Sequence, residues 1–237
     1  MLRLSLLVAL VLFVSSCATD DGTKSIIGTN AVLLGEKYVV VADIQISELR
    51  IRHVKTAYPK ESCSSPNQVS HHLEVSGPIN SDTPLIIERL LKNIETEPNP
   101  CTSRSDGIKF ATLVYLSSGG GYLDDGLSLG RLFRREGVQT RVTHGAKCFS
   151  SCATAFLGGS YRNINGDGQL LFHAPYTPNS FGSINCQSNN NELQRYFVNM
   201  IGDENGEIVY DRTMRNCSAN DGWTINADAA RLLGITT

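Results

Sequence analysis

The 237-residue sequence predicts an α/β fold, a parallel-type sheet with helices around it. Three observations carry this. A β-rich run over residues 110–116 is followed by the glycine turn Gly119-Gly120-Gly121, a helical apolar face and a further short strand, Gln139–Val142. Strand, turn, helix, strand is a βαβ unit, whose right-handed crossover brings the two strands parallel. The plan then repeats: turn over 143–150, helix over 151–157, polar turn, strand over 169–173. With 41% hydrophobic and 19% charged residues the chain has the balance of a globular domain with one core.

The opening residues have one basic side chain, Arg3, an apolar run from Leu4 to Val14, then Ser15-Ser16-Cys17. The run is too short to span a bilayer and reads as a secretory signal. Its end resembles the bacterial lipobox, which implies a lipid on Cys17. The division expected is a lipoprotein signal peptide over 1–16, a polar tether over 17–36 and one domain over 37–237. The destination implied is the bacterial cell envelope, facing the periplasm, with Ala18 favouring the outer membrane. Export leaves Cys63, Cys101, Cys148, Cys152, Cys186 and Cys217 in an oxidising compartment. The pairing is open from sequence; 63–101, 148–152 and 186–217 are the local choices. Zinc on Cys148 and Cys152 is disfavoured, because no second cysteine or histidine pair lies at finger-like spacing.

Within the domain, residues 38–42 are rich in β-branched side chains, and Ile44, Ile46, Leu49 and Ile51 continue the β pattern. Residues 56–70 read as a loop. His71 and His72 lead into a short strand ended by Gly77-Pro78. Asp82 or Thr83 is expected to cap a helix that carries Ile87, Leu91 and Ile94 inward and stops before Pro98. After a loop over 99–107 come the strand, glycine turn and helix described above. The helix buries Leu123, Leu127, Leu132 and Phe133 and closes near Gly137. Beyond Pro175, Leu193, Tyr196, Phe197, Met200 and Ile201 recur at helical spacing, a second helical stretch covers 208–214, and Asn226 caps a last helix that Gly234 ends.

A net charge of -2 gives no footprint for nucleic acid. The chemistry-bearing residues are Ser150 at a helix start, where backbone N–H groups are free, the glycines 119–121, small enough for a substrate carbonyl to reach the backbone, and His173 at the end of the following strand. A serine becomes a nucleophile only with a base for its proton and donors for the developing oxyanion. Taken singly, Ser150 and Ser151 are helix caps, and His173 is a buried histidine.

In combination, Gly77-Pro78-Ile79, Ser117-Ser118-Gly119-Gly120-Gly121, Cys148-Phe149-Ser150-Ser151-Cys152 through Gly159, and Phe172-His173-Ala174-Pro175 resemble the Clp protease proteolytic-subunit family, in particular its exported bacterial relatives with a C-x-S-x-C nucleophile motif. The resemblance spans residues 40–234. It implies a ClpP/crotonase-like spiral of repeated ββα units with a mainly parallel sheet, and serine peptidase activity. By motif, Ser150 matches the nucleophile, His173 the general base, and Ser151 and Gly121 the oxyanion donors, with Ser151 the alternative nucleophile. Gly119 replaces the family's proline. The triad acid matches Asp221, with Asn216 and Asp211 as alternatives. No metal and no cofactor are implied. The partners implied are a peptide or protein substrate, the membrane through the lipid, and further copies of the chain in a homo-oligomer. The alternative is a catalytically weak or inactive relative that binds envelope proteins or peptides in the same groove. Acyl-CoA chemistry shares the fold, but export removes the chain from coenzyme A and that chemistry has no use for a Ser–His pair.

Overall fold

Residues 24–26, 32–33, 38–56, 70–96, 112–178 and 184–237 are described by the structure, a computed structural model. In chain order the first half comprises β1 (Lys24–Ile26), β2 (Val32–Leu33), β3 (Tyr38–Ile46), β4 (Leu49–Thr56), β5 (Ser70–Ser76), α1 (Asp82–Thr96), β6 (Leu113–Ser117) and α2 (Leu123–Arg135). The second half comprises β7 (Gln139–Val142), β8 (Lys147–Phe149), α3 (Ser151–Phe156), β9 (Tyr161–Ile164), β10 (Gln169–Phe172), β11 (Tyr176–Pro178), β12 (Ile184–Cys186), α4 (Asn191–Ile201), α5 (Asp203–Met214), β13 (Trp223–Ile225) and α6 (Ala227–Leu232).

Among the described residues a large sheet runs β1-β3-β4-β5-β6-β7-β9, with β2 also on β3. From β5 to β9 every pairing is parallel, while β3, β4 and β5 pair antiparallel. A small sheet holds β10 between parallel β8 and antiparallel β13. The chain alternates between the two sheets. It leaves β7 for β8, and α3 returns it to β9; β9 then leads to β10 and on to α4. The earlier units do the same in shorter form. After β6, Ser118 bridges Cys148 before α2; after β5, Ile79 bridges Gly121 before α1. This is the spiral of ββα units that the resemblance implied.

The expected helical faces meet the sheet. Ile87, Leu90 and Leu91 of α1, Leu127, Leu132 and Phe133 of α2 and Phe197 of α4 bury with Leu73, Val75, Val114 and Leu116 in one core. At about 25 cal/mol per Å² of apolar surface this burial is the main favourable term. Helix α2 approaches α3 closely because Gly126 lacks a side chain: a Cβ there would stand 2.7 Å from that of Ser151.

Four local expectations are corrected. The cap of α1 is Asn80, whose side-chain carbonyl accepts the Asp82 N–H at 3.1 Å; an Asx turn two residues upstream does the work assigned to Asp82 or Thr83. Residues 143–150 are not all turn, since Lys147–Phe149 is β8. The polar stretch after α3 contains β9, hidden because one of its inward positions is Arg162, 5% exposed. Its guanidinium is satisfied by the carbonyls of Ile235, Gly159 and Gly234, and burial, followed by the charge of Arg134, lowers its pKa to about 10. The strand expected over 110–116 begins at Leu113, with Phe110 and Ala111 outside the described residues. Residues 1–23, with Cys17, and residues 57–69 and 97–111, with Cys63 and Cys101, also lie outside them.

Candidate functional site

The serine stands where a strand of the small sheet turns sharply into a helix. Ser150 follows β8 and precedes α3 with φ 57° and ψ -125°, a backbone region that L-residues enter only under strain, at a cost of about 1–3 kcal/mol. Such strain persists where the surroundings over-determine it. Here the Ser150 N–H donates to the Leu171 carbonyl at 2.7 Å, the Ser150 carbonyl accepts from the Thr154 N–H at 3.1 Å, and a disulfide joins Cys148 of β8 to Cys152 of α3, with Cα atoms 5.1 Å apart. Both cysteines are fully buried. They use their thiols on each other, clamping the turn from both sides.

The glycine turn lies against it. Ser118 donates its N–H to the Lys147 carbonyl at 2.8 Å and accepts the Phe149 N–H at 2.9 Å on its own carbonyl, which hooks the turn to β8. The Gly120 carbonyl accepts the Ile79 N–H at 2.8 Å. In a trans peptide C=O and N–H point opposite ways, so the Gly121 N–H aims away from Ile79. Among the described residues neither this N–H nor that of Ser151, the first residue of α3, has an acceptor. Gly120 has φ 103°, and a Cβ on it would stand 2.6 Å from Ser150 Cβ and 3.2 Å from Ser150 Oγ. Only a bare backbone fits beside the serine.

His173 follows β10, the strand next to β8. Its Nδ1–H donates to the Ala174 carbonyl at 2.9 Å. A carbonyl can only accept, so this contact keeps the proton on Nδ1 and leaves the lone pair on Nε2. The ring lies 5.4 Å from that of Tyr176.

Ser150, Ser151, Gly121 and His173 line one cleft of about 630 Å³. Its apolar lining includes Ile79, Leu123, Phe172 and Leu193, and among the described residues no Asp, Glu, Lys or Arg side chain lines it. Ser150 Oγ and His173 share no hydrogen bond; the hydrogen bond of His173 is the one to Ala174. Asp221 is not brought to the cleft. It ends the single 3-10 turn Ala219–Asp221, is exposed, and its carboxylate faces the Ser218 hydroxyl at 3.5 Å. Asn216 donates its side-chain amide to the Arg212 carbonyl at 2.6 Å, and Asp211 is exposed. What sequence reasoning missed is main chain, namely the carbonyls of Ala174 and Asn216. The one signal for them is Pro175, which restricts the residue before it to extended backbone.

No protein-family model and no curated protein matches the chain. Solved structures do. One is a mutant of the 1510-N membrane-bound stomatin-specific protease, at 16% identity and TM-score 0.49, covering 69% of this chain and 75% of that one. Another mutant of that protease, in complex with a substrate peptide, aligns at 16% identity and TM-score 0.49 over 69% and 71% of the two chains. A ClpP1 mutant from Listeria monocytogenes aligns at 15% identity and TM-score 0.47 over 69% and 86%. This chain's own geometry carries the chemistry that follows.

Proposed function

We propose that the chain is a serine peptidase needing neither metal nor ATP, with Ser150 as nucleophile and His173 as general base and then acid. Ser150 Oγ attacks the peptide carbonyl, Nε2 takes its proton, and the tetrahedral oxyanion is received by the N–H groups of Gly121 and Ser151. Nε2 then returns the proton to the leaving amine, and water repeats the sequence on the acyl-enzyme. The observation that carries this reading is the strained Ser150 backbone in a cleft shared with Gly121 and Ser151, whose N–H groups have no acceptor among the described residues, and with a histidine whose lone pair is on Nε2. The orienting role first expected of Asp221 falls in this reading to the Ala174 carbonyl, which fixes the tautomer without the charge of a carboxylate. Export and a lipid on Cys17 remain part of the proposal, and the paired cysteines at Cys148–Cys152 and Cys186–Cys217 suit an oxidising compartment.

Labelling of the oxidised protein with a fluorophosphonate, followed by mass spectrometry of the modified peptide, tests it. An adduct on Ser150 that is lost in His173→Ala is the expected result. No adduct on folded, oxidised protein removes the reading. It would favour the second one, a groove that binds peptides without cleaving them, to which the exposed position of Asp221 outside the cleft lining lends weight; peptide binding unchanged in Ser150→Ala is its mark.

A further inference from the structure

Beyond the serine, the contacts behind the histidine form a closed circuit. The segment His173-Ala174-Pro175-Tyr176 leaves the end of β10, where the small sheet no longer holds it. Ala174 donates its N–H to the Asn216 carbonyl at 2.7 Å, and the Pro175 carbonyl accepts the Gln187 N–H at 2.9 Å. Tyr176 stands opposite Cys186 in the pairing of β11 with β12. Cys186 is bonded to Cys217, the residue after Asn216. The path from Ala174 through Asn216, Cys217, Cys186 and Tyr176 back to Ala174 is thus a ring with one covalent cross-tie.

We propose that the Cys186–Cys217 disulfide positions the base: by closing this ring it fixes the Ala174 carbonyl against His173 Nδ1 and so sets the tautomer and aim of the imidazole. This deepens the serine-peptidase reading and rests on it. Without the cross-tie the ring is held by single hydrogen bonds, each contributing about 1 kcal/mol net, and by two three-residue strands, a hairpin too short to be stable alone. The two cysteines are 31 residues apart, with α4 and α5 between them, and apart from the disulfide the segment after β12 is tied to α5 through the Asn190 N–H, which donates to the Tyr210 hydroxyl at 2.8 Å. Pro175 acts in the same sense, because it denies Ala174 the helical region and limits how its carbonyl can turn. Cys186–Cys217 is therefore the base's counterpart of Cys148–Cys152, which clamps the serine.

The test uses the full chain with both cysteines replaced, Cys186→Ser with Cys217→Ser. Two quantities are read: the tautomer of His173 from imidazole ¹⁵N resonances, assigned with His173→Gln, and the pH profile of fluorophosphonate labelling. The wild type should show the Nδ1–H form. The double variant should lose it and label on the order of 10- to 100-fold more slowly, as misplacement of a reacting group by about 1 Å predicts. A purely structural bond would lower the melting temperature and leave tautomer and profile unchanged, and that result overturns the proposal. A wild type with the Nδ1–H form and no labelling would instead sink the peptidase reading alone. Should the double variant not fold, Pro175→Ala, with both disulfides intact, is read the same way: a mixed tautomer supports the proposal and an unchanged one overturns it.

Discussion

The N–H of Ser150 donates to the carbonyl of Leu171 at 2.7 Å, two residues before His173. This bond extends the register in which Phe149 of β8 stands beside Leu171 of β10. The serine and the histidine are thus carried at the ends of adjacent parallel strands, and their separation is set by sheet geometry rather than by a loop. Ligand clefts commonly form beyond the carboxyl ends of parallel strands for this reason.

Gly120→Ala should damage the site more than its size suggests. The new methyl would stand 2.6 Å from Ser150 Cβ and 2.7 Å from the Phe149 carbonyl, at a backbone φ of 103°. A stability loss of about 1–3 kcal/mol is expected from the backbone term. A fall in labelling rate on the order of 100-fold should accompany it. Urea melts and labelling kinetics check both, and an unimpaired variant would contradict the close approach.

Replacing both cysteines of the serine clamp, Cys148→Ala with Cys152→Ala, should lower stability by about 2 kcal/mol, the low end for a disulfide because the bond closes so short a loop. Ser150 should also relax from its strained backbone and lose its reactivity in the fraction that remains folded. Fluorophosphonate labelling normalised to folded protein by circular dichroism measures this directly. Undiminished labelling per folded molecule would mean that the hydrogen bonds to Leu171 and Thr154 hold the turn unaided.

Asp221→Asn should cost less than about tenfold in kcat, against the roughly 10⁴-fold seen where an acid contacts the catalytic histidine. Its carboxylate is exposed and faces Ser218, not His173. Steady-state kinetics on a peptide ester decide the point. A loss of 10³-fold or more would return Asp221 to the triad.

His72 on β5 gives the fold a pH dependence. Burial holds its pKa below the ordinary 6.5, against the opposing pull of Glu74 and with Arg52 adding to the lowering. The unfolded chain therefore binds the proton more readily than the folded one, and stability rises with pH across that interval. The contribution is full above pH 6.5 and is lost as pH falls through the depressed folded value. Denaturation midpoints measured from pH 7.5 to 4.5 should fall less steeply in His72→Gln than in the wild type; parallel curves would refute the assignment.

The helices were legible wherever an apolar face met a terminator: α1 stops before Pro98, and α6 starts at Asn226, whose side chain accepts the Ala229 N–H at 3.0 Å. Ser150, Ser151, Gly121 and His173 were legible as candidates because each lies in or beside a turn that follows a strand, where residue type and turn chemistry speak together. β9 was not legible, since a buried arginine satisfied by carbonyls breaks the alternation a strand normally presents. β8 was hidden by its length of three residues. The partner of His173 was illegible in principle, because a backbone carbonyl has no letter in the sequence.

The alternation of the chain between two sheets has a consequence for how such a cleft can change. Ile79, Gly121, Ser150 and His173 arrive in sequence order, one from each successive unit, and meet only because the units stack. Each wall of the cleft therefore belongs to a different stretch of chain. Loosening the packing between any two units would therefore open the cleft even with every strand and helix intact.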